Sequence, residues 1–295
     1  MTHFFELIGE SLIDTLKLLP FLFLTYLLME YIENNASDSA ERILKRSGQA
    51  GPLLGSTLGL LPMCGFSSAA AGFYGVRLLS VGTLVSVFLA TSDEMIATFV
   101  ATPRSNLTLI PKILLVKFFI ALISGFIVDL IIKAIYAKKG IKEEVKIEEL
   151  CEKDECHCHG NIFGSALKHT IKIAVFVLLF NLVMTLIMGY VGEAYLETIF
   201  LNKPIISNII ASVVGLIPNC ASSIIITDLY LKGSLSAGAM MSGLLVNSGV
   251  ALAVLFKTNP SKKNTILITL ILIFIAILSG IIIDLTPIAK FLAIK

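Results

Sequence analysis

Two short stretches hold the residues best suited to chemistry. In Gly59-Leu60-Leu61-Pro62-Met63-Cys64-Gly65-Phe66-Ser67-Ser68, a proline, a cysteine and a glycine interrupt an apolar run in mid-course. Gly215-Leu216-Ile217-Pro218-Asn219-Cys220-Ala221-Ser222-Ser223 repeats the interruption at a constant offset of 156 residues. Proline lacks an N–H and clashes with the preceding turn, so a helix must stop near Leu61 and near Ile217. The stop leaves carbonyls of one half-helix and N–H groups of the next without partners, able to coordinate an ion or a polar solute. Cys64 and Cys220 add a thiolate-capable sulfur at each break, Met63 a thioether and Asn219 an amide oxygen. Ser67, Ser68, Ser222 and Ser223 start the second arms, where hydroxyls cap exposed N–H groups. The plainer alternative treats the cysteines as small core residues and the serines as caps alone.

A second set follows in the next apolar run, Thr91-Ser92-Asp93-Glu94. An acid inside a membrane span costs about 2.5–3.5 kcal/mol on insertion scales, so it faces a partner or a cavity. Adjacent residues point about 100° apart on a helix, so both acids can hardly face one pocket squarely; Asp93, with Thr91 and Ser92 nearby, is taken as the inward acid. The repeat sets Asn247, Ser248 and Gly249 against Thr91, Ser92 and Asp93, so the charge belongs to one half only. That asymmetry suits one cation site near a pseudo-two-fold axis, or a carboxylate that carries a proton when no cation is bound. The alternative is a pair of acids in water at the outer interface. A third set lies in the one extended polar segment, Cys151-Glu152-Lys153-Asp154-Glu155-Cys156-His157-Cys158-His159. Thiolates with imidazoles suit Zn, Cu(I), Ni or Co, and three thiolates suit a thiophilic metalloid. The spacing is not that of a zinc finger, so Cys151, Cys156, His157, Cys158 and His159 read as a metal-binding tract. Asp129 and Asp284 are symmetric and near span ends, which points to an interfacial or helix-packing role rather than transport. Lys112, Lys117 and Asn181 read as snorkelling or interhelix bonding, and Asp228 as a turn acid.

These groups need membrane elements to position them. The chain has 295 residues, 56% of them hydrophobic and 15% charged, and its mean hydropathy is +0.90. A soluble domain carries about 25% charge, so this composition belongs to an all-α polytopic membrane protein. The net charge of +2 gives no reason to expect nucleic acid. The first residues lack a basic leader and a small-residue cleavage site, so no signal peptide is expected. Spans are expected at 12–32, 78–101, 108–136, 165–190, 235–256 and 265–285. The broken segments cover 51–76 and 207–231, each arm about half a span at about 1.5 Å per residue. They read as re-entrant hairpins of two half-helices, and the middle of 33–50 as a short surface helix. The repeat runs without a gap from Gly59 to Ala97 against Gly215 to Ala253. Ser80, Gly82, Ser86 and Tyr74 thereby find Ser236, Gly238, Ser242 and Tyr230, and in the last spans Ser124-Gly125 and Asp129 find Ser279-Gly280 and Asp284.

The organisation is therefore a first membrane repeat over 1–136, a Cys/His-rich loop over 137–161 and a second membrane repeat over 162–295. Each repeat has three spans plus one broken hairpin, about ten helical segments in all. The loop lysines place that loop in the cytoplasm by the positive-inside rule. Three crossings per half then make the repeats inverted and put both termini outside. There is no phosphate loop for an ATP motor, no H-E-x-x-H helix and no potassium filter. No nucleophile–base pair stands out, so no enzyme is expected and no resident cofactor is called for.

Gly-Leu-Leu/Ile-Pro-x-Cys in both halves, with Thr-Ser-Asp-Glu in the following span, resembles the ten-helix heavy-metal exporter family. That family is related to the arsenical permeases, and members carry labels such as manganese transporter or arsenic efflux protein. The likeness covers nearly the whole chain. It implies a substrate region formed by Pro62, Cys64, Asp93 and Glu94 with Pro218, Cys220 and Asn247. Manganese prefers oxygen ligands and would favour Asp93, Glu94, Asn247 and Ser67 over the cysteines. Ser223, Asn219 and Gly65 belong to the same breaks.

Three functions are open at this stage. The first is a proton-coupled secondary exporter of a divalent metal ion in the inner or plasma membrane. The second is an arsenite or organoarsenical permease using Cys64 and Cys220. The third is a permease for a small organic solute. The expected partners are a metal or metalloid ion and the lipid bilayer, with a homodimer among the allowed assemblies.

Overall fold

The computed structural model describes residues 50–61, 64–75, 78–102, 107–139, 162–191, 204–218 and 220–293, with positions 9, 13, 16, 19, 20, 22–24, 26 and 27. These residues form helices and turns, with no strand among them. In chain order the helices are α1 Gly51–Gly59, α2 Cys64–Gly75, α3 Val81–Ala90, α4 Asp93–Ala101, α5 Leu109–Lys139 and α6 Ile162–Val191. They continue with α7 Pro204–Gly215, α8 Cys220–Leu231, α9 Ala237–Val246, α10 Ala251–Thr258, α11 Lys262–Leu285 and α12 Ile288–Leu292. The spans expected at 108–136, 165–190 and 265–285 appear as α5, α6 and α11. The surface helix of 33–50 lies outside the described residues.

Both hairpin breaks fall where the prolines require. The first arm α1 opens on Pro52, which needs no intrahelical donor there, and ends at Gly59. The arm α7 ends at Gly215, tightens through Ile217 N–H to Val214 O at 3.1 Å, and meets Pro218. Arms of 9 and 12 residues span about 14 and 18 Å, half a membrane each. The second arm α8 closes in a Schellman turn: Ser234 N–H donates to Leu229 O at 2.9 Å and Gly233 sits at φ +79°.

The spans expected at 78–101 and 235–256 are not continuous. The first is cut at Thr91-Ser92 into α3 and α4, the second between Asn247 and Val250 into α9 and α10. They remain long enough to cross, as Val81–Val100 and Ala237–Thr258, and they are the most enclosed of the four long apolar spans among the described residues, 75% and 94% buried. By contrast α5 and α11 are only 28% and 33% buried over their apolar windows. Their outward Leu115, Phe119, Ile123, Phe126, Ile266, Leu270 and Phe274 are exposed. Such long apolar faces need lipid around them, so the broken spans form the centre and α5 and α11 the wall.

Packing follows the sequence repeat. Helices α1, α3 and α5 pack on one another, and so do α7, α9 and α11. Small residues allow the approach: a Cβ on Gly59 would stand 2.6 Å from Val87 O, and one on Gly215 would stand 2.2 Å from Gly243 O. The second hairpin arms touch the central span of their own half but make their larger contacts with the other half. Arm α2 packs on α10 and arm α8 on α4. Each hairpin thus delivers its second arm to the broken span of the opposite half.

Asp129 and Asp284 hold the starts of the central spans. Asp129 accepts from Gly82 N–H and Ser80 Oγ, both at 2.8 Å. Asp284 accepts from Gly238 N–H at 2.8 Å and Ser236 Oγ at 3.0 Å. The serines in turn cap Thr83 and Ala239 N–H. A carboxylate at a helix N-terminus complements its partial positive charge, which supports the packing role read from the sequence.

Candidate functional site

The site begins at the two breaks of the central spans. Thr91 ends α3 with φ −52° and ψ 129°, and its hydroxyl donates to Val87 O at 2.7 Å. Ser92 follows with its hydroxyl donating to Ala90 O at 3.1 Å. In the other half Asn247 ends α9 and folds its side chain forward, its Oδ1 accepting from Gly249 N–H at 2.8 Å. This Asx turn substitutes for the helix ladder. Gly249 adopts φ +57°, a left-handed conformation that an L side chain resists. Glycine in place of the Asp93 equivalent therefore has a backbone reason.

The Asn247-Ser248 break is met by its own hairpin through Ser222 and by the opposite hairpin through Ser67. Asn247 Nδ2 donates to Ser222 Oγ at 3.0 Å, and Ser222 Oγ donates to Ile217 O at 3.2 Å. Ser67 Oγ donates to Ser248 O at 3.5 Å. The hairpin hydroxyls thus also donate to carbonyls, beyond the capping role expected of them. Ser68 and Ser248 are buried, and their hydroxyls have no hydrogen-bond partner among the described residues.

Between the breaks lies a cavity of about 10 Å³, lined by Thr91, Ser92, Met95, Lys117, Ser223, Leu244 and Asn247. That is room for a single water or bare ion. Thr91, Ser92, Ser223 and Asn247 bring oxygen-bearing side chains to a lining that is otherwise apolar apart from Lys117, with Met95 the single sulfur. Lys117 enters from α5 at 1% exposure, and its Nζ donates to Thr91 O and, at 2.9 Å, to Leu244 O. Interhelix bonding therefore accounts for Lys117, and snorkelling does not: the side chain turns inward. Sequence reasoning missed Lys117, Met95 and Leu244 as lining residues. The available signal was a lysine in the middle of an apolar span, where an ionisable group marks a cavity. Lys112, by contrast, lies against Phe291, 4.8 Å from its ring, and donates to Phe291 O at 3.2 Å.

Of the expected site residues, Ser223 and Asn247 line the cavity, and Ser67 reaches break residue Ser248. Asp93 and Glu94 open α4 directly after Ser92, and Cys64 and Cys220 open α2 and α8. Their side chains lie outside the described residues. Gly65 is buried in the first turn of α2, and Pro218 sits half-buried in the turn between α7 and α8. Pro62, Met63, Asn219 and the loop residues Cys151, Cys156, His157, Cys158 and His159 also lie outside the described residues. Among the described residues no group of three His, Cys, Asp or Glu side chains could hold a metal. Asp228 pairs with Lys232 at 2.5 Å at the end of α8, as a turn acid would.

The family profile described as "Putative, 10TM heavy-metal exporter" matches residues 5–194 and 161–294. No curated protein and no solved structure matches the chain. With nearly the whole sequence matched, all-helical architecture and apolar walls agreeing, the chain is a multi-pass membrane protein that belongs to this family of 10TM heavy-metal exporters.

Proposed function

We propose that the protein is a secondary transporter that exports a divalent, manganese-like metal ion from the cell across the inner or plasma membrane, in exchange for protons. The observation that carries this reading is an ion-sized cavity between the two broken spans, where Thr91, Ser92 and Asn247 meet Ser223 of the α8 arm that packs on α4. Helix breaks at membrane depth expose backbone groups that replace an ion's hydration shell. Thr91, Ser92, Ser223 and Asn247 supply hard oxygen donors, which favour manganese-type ions over thiophilic ones. Asp93 and Glu94, opening α4 beside this lining, supply the charge and carry the proton. The two repeats, 1–136 and 162–295, are inverted and rock against each other to alternate access, with the 137–161 loop on the cytoplasmic side gathering metal.

A second reading has its own support. Cys64 and Cys220 are the first residues of α2 and α8, so two thiols occupy equivalent places at the hairpin tips, as an arsenite or organoarsenical permease would use them.

The deciding experiment measures metal content in an efflux-deficient host expressing the chain, Asp93→Asn or Cys64→Ser/Cys220→Ser, challenged with Mn, Zn, Co, Ni and arsenite. A fall in one divalent metal that only Asp93→Asn abolishes supports the leading reading. A fall in arsenite abolished by the double cysteine variant replaces it with the second. No change in any element sinks both and turns the search to a small organic solute.

A further inference from the structure

Lys117 is a full charge placed where both halves present their negative ends. Thr91 is the C-terminal cap of α3, and Leu244 lies in the last turn of α9. Carbonyls in those positions run out of intrahelical N–H partners and carry the partial negative charge of the helix C-terminus. Two such ends from opposite halves converge on one Nζ that is buried away from water. The hydroxyl of Ser223 and the amide of Asn247 line the same space. This is the construction expected of a cation site, and an ammonium fills it.

The repeat shows that packing alone does not demand a lysine. The pairs Ala121 with Ala276 and Asp129 with Asp284 fix the α5–α11 correspondence, and Lys117 falls on Leu272. Leu272 is fully buried in α11, so the equivalent helix fills the equivalent place with a hydrocarbon. Among the described residues Lys117 is the one charged side chain of the lining; Asp93 and Glu94 belong to the adjoining α4.

We propose that the carbonyl pair of Thr91 and Leu244 is a cation site on the transport path, that Lys117 Nζ is its tethered occupant when cargo is absent, and that an oxygen-preferring metal ion takes the position when the ammonium swings out. The idea rests on the exporter reading above. The tether keeps the carbonyls paired in the empty protein and competes with cargo, so binding stays weak enough for release. By spanning Thr91 and Leu244 it also links the two halves in the cargo-free state.

The test uses the purified full-length protein in nanodiscs, with Mn²⁺ binding measured at equilibrium and Mn²⁺ movement measured in proteoliposomes. A competitor that occupies the site about nine-tenths of the time weakens apparent affinity about tenfold. Lys117→Met and Lys117→Gln, the latter keeping a donor if the former folds poorly, should therefore bind Mn²⁺ about tenfold more tightly and release it more slowly. Lys117→Arg should bind more weakly than the parent. In Lys117→Ala, n-propylammonium should compete with Mn²⁺, which it should not do in the parent. Mn²⁺ affinity unchanged or reduced in both neutral variants, without alkylammonium competition, overturns the tether and leaves the exporter reading standing if the parent moves Mn²⁺. No divalent ion bound or moved by parent or variants overturns both.

Discussion

Asn247 makes two bonds that nothing else in the break replaces: it holds Gly249 N–H through Oδ1 and Ser222 Oγ through Nδ2. Truncation leaves a buried N–H unpaired, at about 1–3 kcal/mol. Asn247→Ala should lower the thermal midpoint in detergent accordingly, and Asn247→Asp, which keeps the acceptor and loses the donor, should recover part of the loss. Equal midpoints for the two variants would remove the Asx turn from the account. The same residue explains what the sequence hid. The hairpin breaks were legible because Pro62 and Pro218 forbid a helix. Thr91-Ser92 and Asn247-Ser248 forbid nothing; polar residues of this size sit inside apolar helices elsewhere, bonded to a carbonyl one turn back. The second break is made by the Asx turn and the left-handed Gly249 and held by Ser222, and the first is met by Lys117 from α5; the contacts to Ser222 and Lys117 are tertiary facts. Lys117 was visible as a lysine, but α5 is apolar on both sides of it, so the run gave no direction to the charge.

Among elements, each central span packs backbone to backbone against its wall helix. A Cβ on Gly82 would stand 2.2 Å from Gly125 O and 2.4 Å from Asp129 Cγ, and one on Gly238 would meet Gly280 O and Asp284 Cγ at the same distances. Backbone cannot yield as a side-chain tip can, so Gly82→Ala and Gly238→Ala should each cost at least about 1–3 kcal/mol. The two sites lie in different halves and share no partner, so the losses should add in the double variant. Strong non-additivity in thermal unfolding would mean that the two contacts act as one unit. Asp284→Asn removes the charge at the start of α9, where such a charge contributes about 0.3–1 kcal/mol and up to about 2 when partly buried. It should lower stability by that much while leaving the choice of metal unchanged in cellular metal content; an altered metal preference would move Asp284 from the scaffold into the transport path. These aspartates were legible from their symmetry and position near span ends, because a duplicated acid in a duplicated place is most simply a duplicated cap.

For the whole molecule, the crossing of hairpin arms sets what can move. Arm α2 rests on α10 and arm α8 on α4, so any rocking of one half against the other must slide or carry these contacts. The sequence repeat could not foretell the exchange, since an arm looks the same whichever half it packs on. At the far end of the α2–α10 contact, a Cβ on Gly75 would stand 3.2 Å from Thr258 Cβ, while Thr258 Oγ1 donates to Ala71 O at 3.4 Å. A disulfide needs about 3.5–4.5 Å between Cβ atoms, so a shift of a few tenths of an ångström admits one. Gly75→Cys/Thr258→Cys should therefore cross-link under mild oxidation. If alternating access parts α2 from α10, oxidation should stop Mn²⁺ movement in proteoliposomes, reduction should restore it, and neither single variant should respond. Full transport by the cross-linked protein would show that the two move as one body, with the motion lying instead between these pairs and the α5 and α11 walls.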